Sequence, residues 1–260
     1  MIVAVDTAPR RAAFAALVQG VPFFGALLGT ELVLWAHTPD APIRLYLVQA
    51  APCGAFCAAL TIKGHTAALC GTAPDGAELG AFLRFAGVES VLCSARGPEG
   101  WRQKAVFYRY VLPANRQLPL PPAPQDEGIT LNTHPAMGEV ARFLFAAPAE
   151  QDCFYTTACT AINHGYGLCH TLEQGGRILT TVGCTARCGG QAYMAAGQTA
   201  EALRGRGLGG WLIVRMANEL AAAGDEVCFL CAGERRRFYS RLGFTPNGIY
   251  KEYIVPMEIQ

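Results

Sequence analysis

Seven consecutive residues, Arg204-Gly205-Arg206-Gly207-Leu208-Gly209-Gly210, have the make-up of an anion cradle. Glycines at alternate positions let the backbone turn tightly and leave successive amide N–H groups uncovered by side chains. Directly afterwards Leu212, Ile213, Met216 and Leu220 recur at helical spacing, and Ala221 to Ala223 run to Gly224 as a stop. A glycine loop that opens a helix aims free N–H groups and the positive end of the helix dipole at one point. Arg204 and Arg206 add two guanidinium forks suited to phosphate oxygens. The chemistry this stretch predicts is capture of a pyrophosphate.

Two common users of such loops fit poorly. A P-loop needs Gly-Lys-Ser/Thr after the glycines, whereas Gly209-Gly210-Trp211 stands here. The glycines at 205, 207 and 210 do satisfy the dinucleotide fingerprint G-x-G-x-x-G. That fingerprint expects an acidic residue at the end of the second strand. Asp225 and Glu226 instead precede the next strand, Val227 to Cys231, and only about fifty residues follow the loop.

Arg204-x-x-Gly207-x-Gly209 resembles the Q/R-x-x-G-x-G/A signature of the GCN5-related N-acetyltransferases. Phe238-Tyr239-Ser240-Arg241-Leu242-Gly243-Phe244 resembles the aromatic-Tyr-x-x-x-Gly-Phe pattern that follows in that family. The two motifs stand in the family's order, separated by a helix and a strand, and the resemblance covers about residues 128 to 260. It implies acetyl-coenzyme A as cosubstrate, with Arg204 to Gly210 on its pyrophosphate and no metal. It also implies that backbone N–H groups of Gly197, Gln198 and Thr199 polarise the thioester carbonyl. Tyr239 is implied as the acid that protonates the leaving thiolate, a role open to a phenol that is protonated at neutral pH. The sequence departs from the family in three places. Cys231-Ala232-Gly233 stands where relatives carry a coenzyme-binding asparagine, and Thr199-Ala200-Glu201-Ala202-Leu203 replaces their Val-x-Pro-x-Tyr run. Gln191 to Thr199 holds no carboxylate to act as general base.

Around the loop, the spacing predicts a strand at 191–199, a helix at 208–223, a strand at 227–231, a helix at 234–241 and a final strand near 248–255. Upstream come a short strand at 129–132, helices at 135–146 and 153–163, and a hairpin of 167–173 with 177–186 through Gln174-Gly175-Gly176. Leu118-Pro119-Leu120-Pro121-Pro122-Ala123-Pro124 excludes helix and reads as a linker over 118–127, between domains at 1–117 and 128–260. In the first domain, strands at 43–49, 54–62 and 65–71, a helix at 77–85 and a strand at 90–94 repeat the order found around the loop. This suggests an internal duplication whose first copy is degenerate. Its counterpart loop, Gly71 to Gly76, has neither basic residues nor alternate glycines, so a coenzyme site there is lost. The fold class expected is α/β (α+β): a mixed, mostly antiparallel sheet flanked by helices, of the GCN5-related type, after a smaller α/β domain.

Composition sets the outer bounds. The chain has 260 residues, 52% of them hydrophobic and 16% charged, enough for ample core. A net charge of +1 points to no nucleic acid and no anionic membrane surface. No stretch has the about 18 uncharged apolar residues of a membrane span, and the N-terminus lacks a secretory pattern, so a cytoplasmic protein is expected. Eleven cysteines, many in apolar runs, read as core residues of a reducing compartment. Cys228-x-x-Cys231 and Cys184-x-x-x-Cys188 lack a second ligand pair for zinc. The acceptor expected is an amine of a small molecule or peptide, and paired strands or the first domain could form a homodimer surface. A coenzyme A-binding regulatory or scaffold protein without turnover is the alternative function.

Overall fold

The structure is a computed structural model that describes every residue except Pro52, Cys53, Ala95, Arg96, Gln125 and 257–260. By contact the chain forms two compact units, and neither is one continuous stretch. The first comprises Met1–Arg109 with Leu230–Arg236 and the chain from Asn247 on; the second comprises Tyr110–Phe229 and Arg237–Pro246.

Elements of the first half are β1 (Ile2–Ala4), α1 (Ala8–Val18), α2 (Phe24–Trp35), β2 (Ile43–Gln49), β3 (Phe56–Lys63), β4 (Thr66–Gly71), α3 (Gly76–Phe85), β5 (Ser90–Cys93) and β6 (Gln103–Leu112). Those of the second half are β7 (Ile129–Asn132), α4 (Met137–Leu144), α5 (Pro148–Asn163), β8 (Leu168–Gln174), β9 (Arg177–Cys188), β10 (Gln191–Thr199), α6 (Leu208–Ala222), β11 (Glu226–Ala232), α7 (Arg236–Arg241) and β12 (Thr245–Ile254). The expected fold class holds: the strands are mixed but mostly antiparallel, with helices flanking them. Among the described residues no helix is long and apolar enough to cross a membrane.

In the first unit the strand order is β1-β2-β3-β4-β5-β12-β6. β12 is the strand expected near 248–255, and its residues from Asn247 on pack with this unit. Lys251 to Ile254 pair antiparallel with Cys93 to Ser90. Tyr253 and Val255 enter the apolar cluster of Leu60, Ile62, Leu69, Leu79 and Leu83. Tyr250 meets Phe23 and Phe24 edge-on, and its hydroxyl donates to the Pro22 carbonyl at 2.6 Å. Three aromatic rings and a buried pairing edge hold the strand there.

β4 and β5 form an unbroken parallel ladder, Thr66↔Ser90 through Leu69↔Cys93. At the following helix, the Asp75 carboxylate accepts from the N–H groups of Ala77 and Glu78, both at 2.9 Å. The place where a helix N-terminus could receive an anion is filled by the chain's own carboxylate. This is the physical basis for the degenerate reading of the first copy.

In the second unit β11, β10, β9, β8 and β7 lie in that order, with β10 and β11 parallel and the others antiparallel. α6 packs across β8, β9 and β10, burying Leu212, Val214, Met216, Ala217 and Leu220. It ends at Gly224, whose φ of 95° is left-handed, with Asp225 N–H returning to the Leu220 carbonyl at 3.2 Å. The proline-rich segment is tied to this helix. Asn218 accepts from the Leu118 N–H at 2.8 Å and donates to the Leu118 carbonyl at 2.9 Å.

The first unit also buries Glu31 of α2, which takes a hydrogen bond from Thr61 on one side while its Oε2 has no partner. Burial raises its carboxyl from 4.5 to about 7. The folded state therefore holds a proton that the unfolded chain releases near 4.5, so stability falls as pH rises from that value and levels off above about 7. Urea unfolding of the natural chain should show a loss of up to about 3 kcal/mol across this window, absent from Glu31→Gln. Parallel pH profiles for the two proteins would contradict it.

Candidate functional site

The site is built where β10 runs out. β10 is regular at its start, where Gln191, Ala192 and Tyr193 pair with Glu226, Val227 and Cys228 of β11. Its ladder with β9 then shifts twice, between Tyr193 and Met194 and between Ala195 and Gln198. Within the second shift Ala196 takes a left-handed φ of 53°, a conformation a residue with a Cβ rarely adopts. The bulge throws Gly197 outward: it is exposed, and a Cβ there would meet nothing within 4 Å. Downstream, Gln198 and Thr199 rejoin β9, and the Ala200 N–H bonds to Leu179 O at 2.9 Å. Alternation along the strand turns the Thr199 N–H to the opposite edge.

After a single 3₁₀ turn, Glu201–Leu203, the chain reaches the arginine-glycine loop. Gly205 and Gly207 carry φ values of 82° and 84°, and a Cβ on either would meet nothing, so these two glycines are required by conformation alone. The other two are closely packed. A Cβ on Gly209 would lie 2.8 Å from Thr199 Oγ1, and one on Gly210 would lie 3.2 Å from Leu242 Cδ2. Loop, β10 and the segment after α7 therefore meet at Gly209-Gly210.

Gly207 is the N-cap of α6, and no side chain caps the helix. The Trp211 N–H donates to the Gly207 carbonyl at 3.0 Å. The N–H groups of Leu208, Gly209 and Gly210 come before it and are the orphan donors of the first turn. Leu208 is buried and anchors the turn; Trp211, also buried, fixes the next. This is the reverse of the Asp75-capped helix in the first unit.

The two arginines differ. Arg204 is about two-thirds exposed and reaches only Glu201, at 3.7 Å. Arg206 is engaged: its Nη2 lies 2.6 and 2.7 Å from the two oxygens of Asp126. Asp126 stands directly after the proline-rich segment, and sequence spacing gave no reason to place it beside the loop.

Tyr239 lies on α7 within an aromatic cluster. Ring centroids are 4.1 Å to Phe229, 5.0 Å to Phe238, 5.9 Å to Tyr110 and 6.5 Å to Phe244. Beside it, Tyr110 Oη and Ser240 Oγ are 3.2 Å apart. The Tyr193 phenol, at the point where β10 stops pairing with β11, is pushed upward by burial first and then by Cys228 and Tyr239. Tyr110, Tyr193 and Phe229 were missed as neighbours of the site. Only the aromatic character of alternate strand positions could have flagged them.

Cys70, Cys93, Cys169, Cys184, Cys228 and Cys231 are buried, whereas Cys57, Cys153, Cys159 and Cys188 are half-buried. Burial pushes the Cys184 thiol up to about 12. Among the described residues no group of three or more His, Cys, Asp or Glu could hold a metal ion. Arg236, at the start of α7, lies over the Tyr108 ring at 4.2 Å.

A family model described as FR47-like protein matches residues 166–254. No curated protein matches the sequence. Among solved structures, a GCN5-related N-acetyltransferase from Sphaerobacter thermophilus is similar at a TM-score of 0.62 and 17% identity, covering 100% of this chain and 97% of that one. A tandem GNAT protein from the clavulanic acid biosynthesis pathway gives a TM-score of 0.64 at 13% identity, over 100% and 99%. A GCN5-related N-acetyltransferase from Kribbella flavida gives 0.55 at 16%, over 90% and 94%. The chain thus has the fold of the GCN5-related N-acetyltransferases along its whole length, and over residues 166–254 it also matches the FR47-like family in sequence.

Proposed function

We propose that this protein is an acetyl-coenzyme A-dependent N-acetyltransferase that passes the acetyl group directly to an amine of a small molecule or peptide. The observation that carries this reading is the uncapped N-terminus of α6, opened by two left-handed glycines at the end of a bulged strand. The amides of Leu208, Gly209 and Gly210, the backbone of Gly205 and Gly207 and the Arg204 fork form a pyrophosphate cradle. Arg206 joins them once it leaves Asp126. The coenzyme supplies an acetyl group activated as a thioester. The backbone released at Gly197 and the Thr199 N–H, which faces away from β9, donate hydrogen bonds to the carbonyl oxygen as it gains charge, while the Gln198 N–H stays in the ladder with Thr181. Tyr239 gives its phenolic proton to the leaving sulfur, and the acceptor reaches the carbon as a neutral amine. The sequence division at 118–127 belongs to this reading, with the coenzyme site kept in the second copy alone.

A second reading, coenzyme binding without turnover, draws on one observation. β10 carries no carboxylate that could relieve the acceptor of its proton. The two readings separate on thiol release from acetyl-coenzyme A with a panel of amines. Turnover that falls about 100-fold in Tyr239→Phe, with coenzyme affinity unchanged, supports the enzyme; turnover unaffected by the change would remove Tyr239 as the acid. Asp126→Asn frees the Arg206 fork, and coenzyme affinity should rise about three- to tenfold in a binding titration. An unchanged or weaker affinity would mean that Arg206 does not serve the cradle.

A further inference from the structure

The second unit carries a concavity whose lining includes no residue of the loop. It has a volume of about 650 Å³ and lies beside the last two turns of α6, with Leu120, His134, Leu168, His170, Arg215 and Glu219 on its walls. Arg215 is seven residues past Leu208 and Glu219 eleven, about 10 and 16 Å along the helix axis. Leu168 and His170 share one face of β8, two residues apart.

The charges in this cavity do not neutralise one another. Arg215 and Glu219 stand one turn apart on α6, where opposite charges commonly pair. Arg215 instead lies over the Trp211 ring at 5.9 Å, and Glu219 Oε2 faces His170 Nε2 at 3.8 Å, too far for a hydrogen bond. His170 is almost wholly buried, and its Nδ1 has no partner. Burial holds its pKa below the usual imidazole range against the pull of Glu219, and Arg215 and His134 push the same way as burial. The nitrogen that can serve a ligand is Nε2: in a neutral imidazole it can accept, and it stands 3.8 Å from the Glu219 carboxylate with no donor between them. An ammonium has three donors to place there. Arg215 has the bidentate fork for a carboxylate, and Leu120 and Leu168 offer apolar surface.

We propose that this cavity binds a free α-amino acid with an apolar side chain, its ammonium on Glu219 and His170 and its carboxylate on Arg215. The proposal does not depend on the coenzyme reading, since no residue of the loop takes part. It makes the helix that begins at the loop also the wall of a second ligand site.

The test is calorimetric titration of the full chain with L-leucine, L-leucinamide and 4-methylpentanoate, repeated on Arg215→Gln and Glu219→Gln. Both substitutions sit at exposed helix positions, and circular dichroism would verify that the variants are folded. Leucine should saturate the site, with affinity at least about tenfold weaker for either analogue and for either variant. No saturable heat up to about 10 mM leucine, or leucine binding that neither variant alters, would overturn the assignment.

Discussion

The second unit depends on the start of α6, whose first-turn amides have no intrahelical partner and no capping side chain at Gly207. A helix start commonly finds an oxygen from its own chain, as α3 does with Asp75. At α6 the residue in that place is Gly207, which has no side chain to give. The left-handed turns at Gly205 and Gly207 swing the chain so that the loop's amides are uncovered. Close packing of Gly209 on Thr199 and Gly210 on Leu242 then fixes the helix start against β10 and the end of α7. Donors held by such packing, with no intrahelical partner, are organised for an external anion.

The same chain contains the control. β4 and β5 of the first unit repeat the parallel arrangement of β10 and β11, yet their ladder continues through all of β5 without a shift. β10 instead breaks register twice and pairs with β11 only as far as Tyr193. Two differences thus separate the open helix start from the capped one: a bulge in the strand before it, and glycine in place of a capping carboxylate. Neither alters the order of elements, so two units of one plan differ at this helix start.

Much of this was legible in the residues. Glycine at 205, 207, 209 and 210 needs no tertiary information to read as a loop that opens a helix. Gln191–Thr199 and Leu208 onward emerge with the boundaries that period-2 and 3.6 patterns imply. The capped α3 was also foreshadowed, because Asp75 stands where glycine and arginine stand in the other copy. What could not be read is long-range. Lys251 to Ile254 look like any exposed-edge strand until Ser90 to Cys93 are seen to receive them. The Asp126 carboxylate on Arg206 crosses 80 residues of sequence, and the aromatic shell of Tyr239 draws Tyr110 and Phe229 from other strands. His170 carried no local signal that separates a packed imidazole from one on the wall of a cavity.

The central claim is that the open amides of α6 and the arginines beside them hold a pyrophosphate. Calorimetric titration with acetyl-coenzyme A, run on the natural chain and on Arg204→Ala/Arg206→Ala, tests it most directly. The account predicts saturable binding that weakens at least about tenfold in the double variant, the loss of two charge-assisted contacts. Binding that the double variant retains in full, or no binding at about millimolar coenzyme, would contradict it.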